Sequence, residues 1–185
     1  MKLDYIKEFR AYRSDRLSRI AKPLVKAGVT ADQVTALSLI SGLLAVYFLF
    51  TNYYLLVLFA LLHLLFDGFD GVIARLTKTS IAGKYLDLVT DNLVTIGVLI
   101  KTAIFLQDFY AFIAAGLFSL ALTIHIISKL KAPILFIRTV SLIVLTIALN
   151  PSFPFAAILL TAGYLAAGGV SSYSLTRQLQ WHLNR

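Results

Sequence analysis

The chain has 185 residues, of which 59% are hydrophobic and only 14% charged. That composition excludes an ordinary soluble domain and points to a polytopic membrane protein, with length for one helical bundle and not for two domains. The absence of cysteine excludes disulfides and thiolate metal sites, and a net charge of +8 in so apolar a chain points to a membrane surface and not to nucleic acid.

From the amino terminus, eight of the 17 basic residues come before residue 27: Lys2, Lys7, Arg10, Arg13, Arg16, Arg19, Lys22 and Lys26. Between them Leu3, Ile6 and Phe9, then Leu17, Ile20 and Leu24, recur at helical steps, which predicts an amphipathic helix over 2–22 lying in the membrane interface. Pro23 is expected to bend or end it. The first 28 residues lack an apolar core followed by a small-residue cleavage site, so no cleaved signal peptide is expected. Six spans are predicted next, over 33–52, 54–76, 84–106, 109–128, 132–149 and 153–175; each is close to the roughly 20 residues that cross a hydrocarbon core. The expected architecture is therefore an all-α membrane protein: a juxtamembrane helix over 1–28, a six-transmembrane-helix bundle over 29–176 and a cytosolic tail over 177–185. Positive charge collects at the amino terminus, at Arg75, Lys78 and Lys84, at Lys129 and Lys131, and at Arg177 and Arg185, whereas the breaks at 51–54 and 150–154 carry none. Both termini are thus expected in the cytosol, with Lys101 reaching towards the opposite surface.

Four carboxylates interrupt the second and third spans, in the pattern Asp67-x-x-Asp70-Gly71-x-x-Ala74-Arg75, seven residues, Gly83-x-x-x-Asp87-x-x-x-Asp91. A charge inside a span costs about 2.5–3.5 kcal/mol on insertion scales, so four acids together require a strong compensating partner. On helices, Asp67, Asp70, Gly71, Ala74 and Arg75 share one face, Asp87 and Asp91 share another, and a short connection allows the two faces to meet. An all-carboxylate donor set suits a hard cation, Mg²⁺ or Mn²⁺, better than zinc. Four acids exceed what one magnesium ion commonly draws from protein, so two ions are expected, the arrangement that stabilises attacking and leaving oxygens in phosphoryl displacement. Arg75, one turn beyond the acids, is placed to hold another phosphate oxygen. On the predicted orientation the acids lie at cytosolic helix ends, where nucleotide and magnesium are available.

These residues resemble a family. Asp67-Gly68-Phe69-Asp70-Gly71-Val72-Ile73-Ala74-Arg75 with Gly83, Asp87 and Asp91 at these gaps is similar to the signature of the CDP-alcohol phosphatidyltransferases, and its eight fixed positions all agree. The resemblance implies transfer of a phosphatidyl-type group from a CDP-linked lipid, diacylglycerol or ether, to a small polar alcohol in phospholipid synthesis, with release of CMP. It implies that Asp67, Asp70 and Asp87 are metal ligands and that Asp91 is both a ligand and the base for the acceptor hydroxyl. It also implies that Gly71, Arg75 and Ser80 contact the CDP moiety, as does the turn Thr30-Ala31-Asp32-Gln33, where Ala31 stands in place of the usual proline. A homodimer within the membrane is the assembly common in the family.

Other signals have plainer readings. His63, one turn before Asp67, reads as a packed histidine, since the acids suffice as ligands; His125 and Lys129 read as part of a polar lining or interface and not as a catalytic pair. Lys129, Lys131 and Arg138 read either as an anion site for a phosphorylated acceptor, such as glycerol 3-phosphate or an inositol phosphate, or as anchors to lipid headgroups, with Arg138 about two turns into the fifth span. Two rival functions compete. An intramembrane magnesium-dependent prenyltransferase would place its acidic motifs farther apart and release diphosphate; a small cation transporter would place acids near the midplane and has no use for Arg75.

Overall fold

The computed structural model describes residues 17–77 and 81–184 of the chain. Among the described residues every regular element is a helix: α1 over 17–26, α2 Ala31–Phe48, α3 Tyr53–Leu76, α4 Ile81–Leu106, α5 Phe109–Ile127, α6 Arg138–Ala148 and α7 Ala156–Leu183. Five of these, α2, α3, α4, α5 and α7, are long and apolar enough to cross a membrane, and the chain is an integral membrane protein.

The first turns of the site are built by α1. Most of the helix predicted over 2–22 lies outside the described residues, and its described part runs on through Pro23 to residue 26. Ala21 is fully buried and packs with Leu17 and Val25 against Val34 of α2 and Val72 and Ile73 of α3, while Ile20 and Leu24 face outward. The helix stops at Gly28, whose φ of +86° is left-handed. There Val29 N donates to Leu24 O at 3.0 Å and Gly28 N to Val25 O at 3.0 Å, the bond pair of a Schellman stop, in which glycine avoids the Cβ penalty. Two residues later Thr30 caps α2. Its Oγ1 accepts from Gln33 N at 3.3 Å, and Gln33 Oε1 accepts from Thr30 N at 3.1 Å, a complete capping box. Ala31 occupies the first helical position, where proline is favoured because its missing N–H is not needed. The capping box sets the turn without it.

The inner face of α2 is small and polar: Thr35, Ser38, Ser41, Gly42 and Ala45 are all buried. Such a stripe lets backbones approach closely, and α2 packs extensively on α3 and also on α4. A Cβ added at Gly42 would collide with Val94 of α4 and lie 3.1 Å from His63 Nδ1 of α3. At the far end Lys101 donates to Val46 O at 2.8 Å and to Tyr47 O, carbonyls of the last turn of α2. It thus neutralises the negative end of that helix as well as lying near the surface. α5 packs on α7, and α6 packs on α7, α4 and α3.

Two expectations change. The stretch 132–149 is not one continuous helix: residues 132–137 are irregular, and α6 has only 11 residues, about 16 Å of rise. Pro133 cannot donate into a helix, and the lead-in is held by side chains instead. His125 Nδ1 lies 2.6 Å from Ala132 O, Ala132 N donates to Ser128 Oγ at 2.9 Å, and Leu135 N donates to Ser174 Oγ at 3.1 Å. Irregular backbone at membrane depth is tolerated where neighbouring protein satisfies it in this way. Arg138 is consequently the first residue of α6 and not two turns into a span. The second change is at the end of the chain. α7 passes the expected end of its span at 175 and continues to Leu183, because nothing between 170 and 183 breaks a helix. Its 28 residues rise about 42 Å, more than the roughly 30 Å of hydrocarbon.

Candidate metal centre and adjoining cavities

The helices that carry the acids, α3 and α4, follow one another in the chain yet do not pack closely; α2 and α6 bridge them. The gap between them is where the carboxylates meet. Asp67 from α3 and Asp87 and Asp91 from α4 each offer an oxygen, and these oxygens lie within 4.8 Å of one another. Two unit charges at that distance repel by about 3.5 kcal/mol in an effective dielectric of about 20, so the cluster needs positive charge.

Among the described residues, Arg138 forms ion pairs with this cluster. Arg138 donates from Nη1 to Asp67 Oδ1 at 3.1 Å and from Nη2 to Asp67 Oδ2 at 2.7 Å, a bidentate fork, and its Nη1 also pairs with Asp91 Oδ1. The contact with Asp91 is an ion pair without hydrogen-bond alignment, since Asp91 Oδ1 is buried and has no hydrogen-bond partner. Lys129 and Lys131 are exposed and line neither of the cavities beside the acids. The three basic residues read as one anion site are therefore not brought together. Sequence spacing along a presumed helix placed Arg138 near the lysines, but the break at 132–137 redirects it to the acids.

Asp70 stands apart from the three-carboxylate group. It is 5% exposed, and its Oδ2 accepts from Thr35 Oγ1 of α2 at 2.6 Å. Its face opens into a cavity of about 450 Å³ walled by Gly28 to Asp32, Thr35, Gly71, Ala74, Thr77, Gly83, Lys84 and Asp87. Thr30, Ala31, Asp32 and Gly71, read from the family resemblance as nucleotide contacts, thus share one cavity with two of the acids. Gln33 is absent from that wall because its side chain is turned back on Thr30 N. Arg75 is exposed, and its Nε donates to Gly71 O at 2.7 Å. Ser80 lies outside the described residues.

A second cavity, of about 310 Å³, is walled by Lys84, Asp87, Leu88, Asp91, Asn92, Leu130, Phe136, Arg138 and Thr139. The arrangement is two chambers that share Lys84 and Asp87 on their walls.

His63 is fully buried, with Nδ1 2.9 Å from both Ser38 Oγ and Ser38 O, and it is not part of the carboxylate group. It packs α3 on α2. His125 holds the 132–137 lead-in and lines neither chamber.

Sequence reading did not single out Thr35, Lys84 as a wall residue, Asn92 or Thr139. Thr35 had a signal: with Ser38, Ser41 and Gly42 it makes a small polar stripe at three- and four-residue steps in an apolar helix. Thr139 had none, because its placement depends on the break before α6.

A bundle of membrane-length helices with carboxylates clustered in a gap defines a class, the integral membrane proteins with an intramembrane acidic centre. Within it the chain belongs to the CDP-alcohol phosphatidyltransferase family, whose family model matches residues 28–168. Members of that family transfer phosphate-containing groups and generally depend on divalent metal. The chain is similar to the inner membrane protein YnjF of Escherichia coli (strain K12), with 38% identity over 78 residues, which is 42% of this chain and 38% of that protein's length. The match thus spans well under half of the curated relative. No solved structure matches the chain significantly.

Proposed function

We propose that this protein transfers a phosphatidyl-type group from a CDP-linked lipid to the hydroxyl of a small polar alcohol, releasing CMP. The observation that carries the reading is the gathering of Asp67, Asp87 and Asp91 oxygens within 4.8 Å, beside a chamber walled by Thr30, Ala31, Asp32, Gly71 and Asp70. An all-oxygen, multiply charged donor set of this kind fits hard divalent ions. Asp67, Asp87 and Asp91, with Asp70 at the chamber wall, would hold Mg²⁺, as two ions, with Mn²⁺ as a substitute. When bound, such ions neutralise a diphosphate and make a coordinated hydroxyl more acidic.

The chain's own residues supply the rest. The larger chamber takes the cytidine diphosphate: Gly71 and Gly83 leave room at its wall, and the α2 amino terminus with Thr30 and Asp32 shapes its floor. Arg75 and Ser80 are proposed to complete the diphosphate contacts. The smaller chamber takes the acceptor alcohol beside Asp91, Asn92 and Thr139. Asp91 accepts the hydroxyl proton at a carboxylate oxygen as the alcohol oxygen bonds to the β-phosphorus. The bond from that phosphorus to the bridging oxygen breaks, and the electron pair leaves with CMP. Lys84, on both walls, is positioned to offset charge on either substrate. A phosphorylated acceptor is favoured by Lys84 and Arg138 on the chamber wall; Lys129 and Lys131 serve as headgroup anchors outside it.

The membrane setting follows the same reading. The exposed Ile20 and Leu24 of α1 face the interface, the site opens to the cytosol, and α6 with its irregular lead-in completes a sixth crossing. A homodimer is the expected assembly. The test is to supply CDP-diacylglycerol and a panel of alcohols, phosphorylated and not, to the purified protein and to identify the lipid product by mass. The reading requires CMP release that depends on one of the alcohols and stops under chelation. Release of inorganic diphosphate, or turnover undiminished in excess EDTA, would overturn it.

A further inference from the structure

The cluster of three acids is gripped by a fixed cation. Arg138 engages both oxygens of Asp67 and reaches Asp91 as well, with its side chain only 13% exposed. Asp67 and Asp91 are two of the three residues whose oxygens converge within 4.8 Å. The Asp67 oxygens, which accept charge-assisted bonds from the guanidinium, have lone pairs and charge already engaged, and the Asp91 oxygen is paired with it by charge alone, so both have less to offer a metal ion. Asp87 has no such partner among the described residues. The grip is therefore asymmetric and covers two of the converging ligands.

The surroundings allow the grip to be released. Arg138 is the first residue of α6 and follows a lead-in that is not helical. Its side chain lines the 310 Å³ chamber together with Lys84, Asp87, Asp91, Asn92 and Thr139, a wall that does not include Asp67, so the guanidinium borders open space.

Resting on the reading of the acids as metal ligands, we propose that Arg138 is a built-in competitor of the divalent ion. Its guanidinium and the ion contend for Asp67 and Asp91, so loading the centre moves the guanidinium into the adjoining chamber. Arg138 offsets the clustered negative charge of Asp67, Asp87 and Asp91. It also sets the ion's affinity below what the bare carboxylates would give.

The test is direct Mn²⁺ binding, followed by the electron paramagnetic resonance of free Mn²⁺, to the full chain in detergent micelles without substrate. Arg138→Gln removes the competitor, and its tightest Mn²⁺ site should bind about tenfold more strongly than in the unaltered protein, equivalent to about 1.4 kcal/mol. Arg138→Lys keeps the charge but cannot fork onto both Asp67 oxygens while reaching Asp91. It should tighten binding severalfold, between the other two, and it carries the test if the glutamine variant does not fold. Unchanged or weaker binding in the variants would overturn the proposal. So would tightening in Arg138→Gln with none in Arg138→Lys, since that pattern reports charge repulsion at a distance and not occupancy of the ligands. If the unaltered protein bound no Mn²⁺ at all, the metal reading of the acids would itself fail. Binding without tightening in either variant would leave that reading standing and remove only the competition.

Discussion

Removing the Thr35 hydroxyl tests whether the second helix orients the acids. Thr35 Oγ1 donates to Asp70 Oδ2 at 2.6 Å, and both residues are at most 5% exposed at the wall of the 450 Å³ chamber. Thr35→Val keeps the shape and deletes the donor. A hydrogen bond to a charged group is worth about 1.5–3 kcal/mol, and a buried carboxylate left short of its donor loses about that much stabilisation of its ionised, oriented form. At about 1.4 kcal/mol per tenfold, the chamber proposed to take the CDP-lipid should lose about 10- to 150-fold in its affinity for metal-bound donor. The assay is CMP release at varied CDP-lipid and Mg²⁺. The loss is expected in kcat/KM, with partial recovery at high Mg²⁺, because Asp70 remains present and only its aim is relaxed. Thr35→Ser restores the donor and should stay within a few-fold of the unaltered protein. Wild-type kcat/KM and metal dependence in Thr35→Val would refute the reasoning, as would equal damage from both substitutions.

Asp91→Asn should abolish turnover while CDP-lipid binding, measured by equilibrium dialysis, partly survives; normal turnover would remove Asp91 as the base. Chelation with EDTA should stop CMP release, and Mg²⁺ or Mn²⁺ should restore it within minutes if the acids alone hold the ions. Gly42→Ala should overpack the contact with Val94 and His63 and cost about 1–3 kcal/mol, seen as a lower unfolding temperature in detergent with little change in the KM of the folded fraction. Ser174→Ala strips the acceptor from Leu135 N in the lead-in to α6, a loss of about 1–2 kcal/mol. It should lower turnover more than Ser172→Ala, because only the former loosens the segment that aims Arg138.

Much of the long-helix plan was legible before any coordinates, and for a plain reason. In a membrane, apolar length alone decides what can span, so α2 to α5 begin and end within a few residues of the stretches read from hydropathy. The acids were legible because helical spacing of three and four puts Asp67 with Asp70 and Asp87 with Asp91 on single faces. What could not be read were the contacts that depend on where one helix stands against another. The bond from Thr35 to Asp70 joins residues 35 apart, and that from Arg138 to Asp67 joins residues 71 apart. The first joins consecutive helices and the second joins α3 to α6.

Arg138 shows how a break in one helix changes which groups a side chain meets. Treating 132–149 as a continuous helix put Arg138 about 10 Å beyond Lys131 along a helix, which suggested a basic patch and hence an anion site. The stretch is held out of the helix by the bonds of Ala132 and Leu135 to His125, Ser128 and Ser174. Once the backbone is allowed to break there, the helix restarts at Arg138, and the guanidinium is delivered from α6 into the gap between α3 and α4. A buried arginine must then find carboxylates, and the nearest are those expected to bind metal. The same positive charge that looked like part of a substrate site is thus placed to govern the metal centre first. Any role for it towards an acceptor phosphate depends on Asp67 and Asp91 finding another cation.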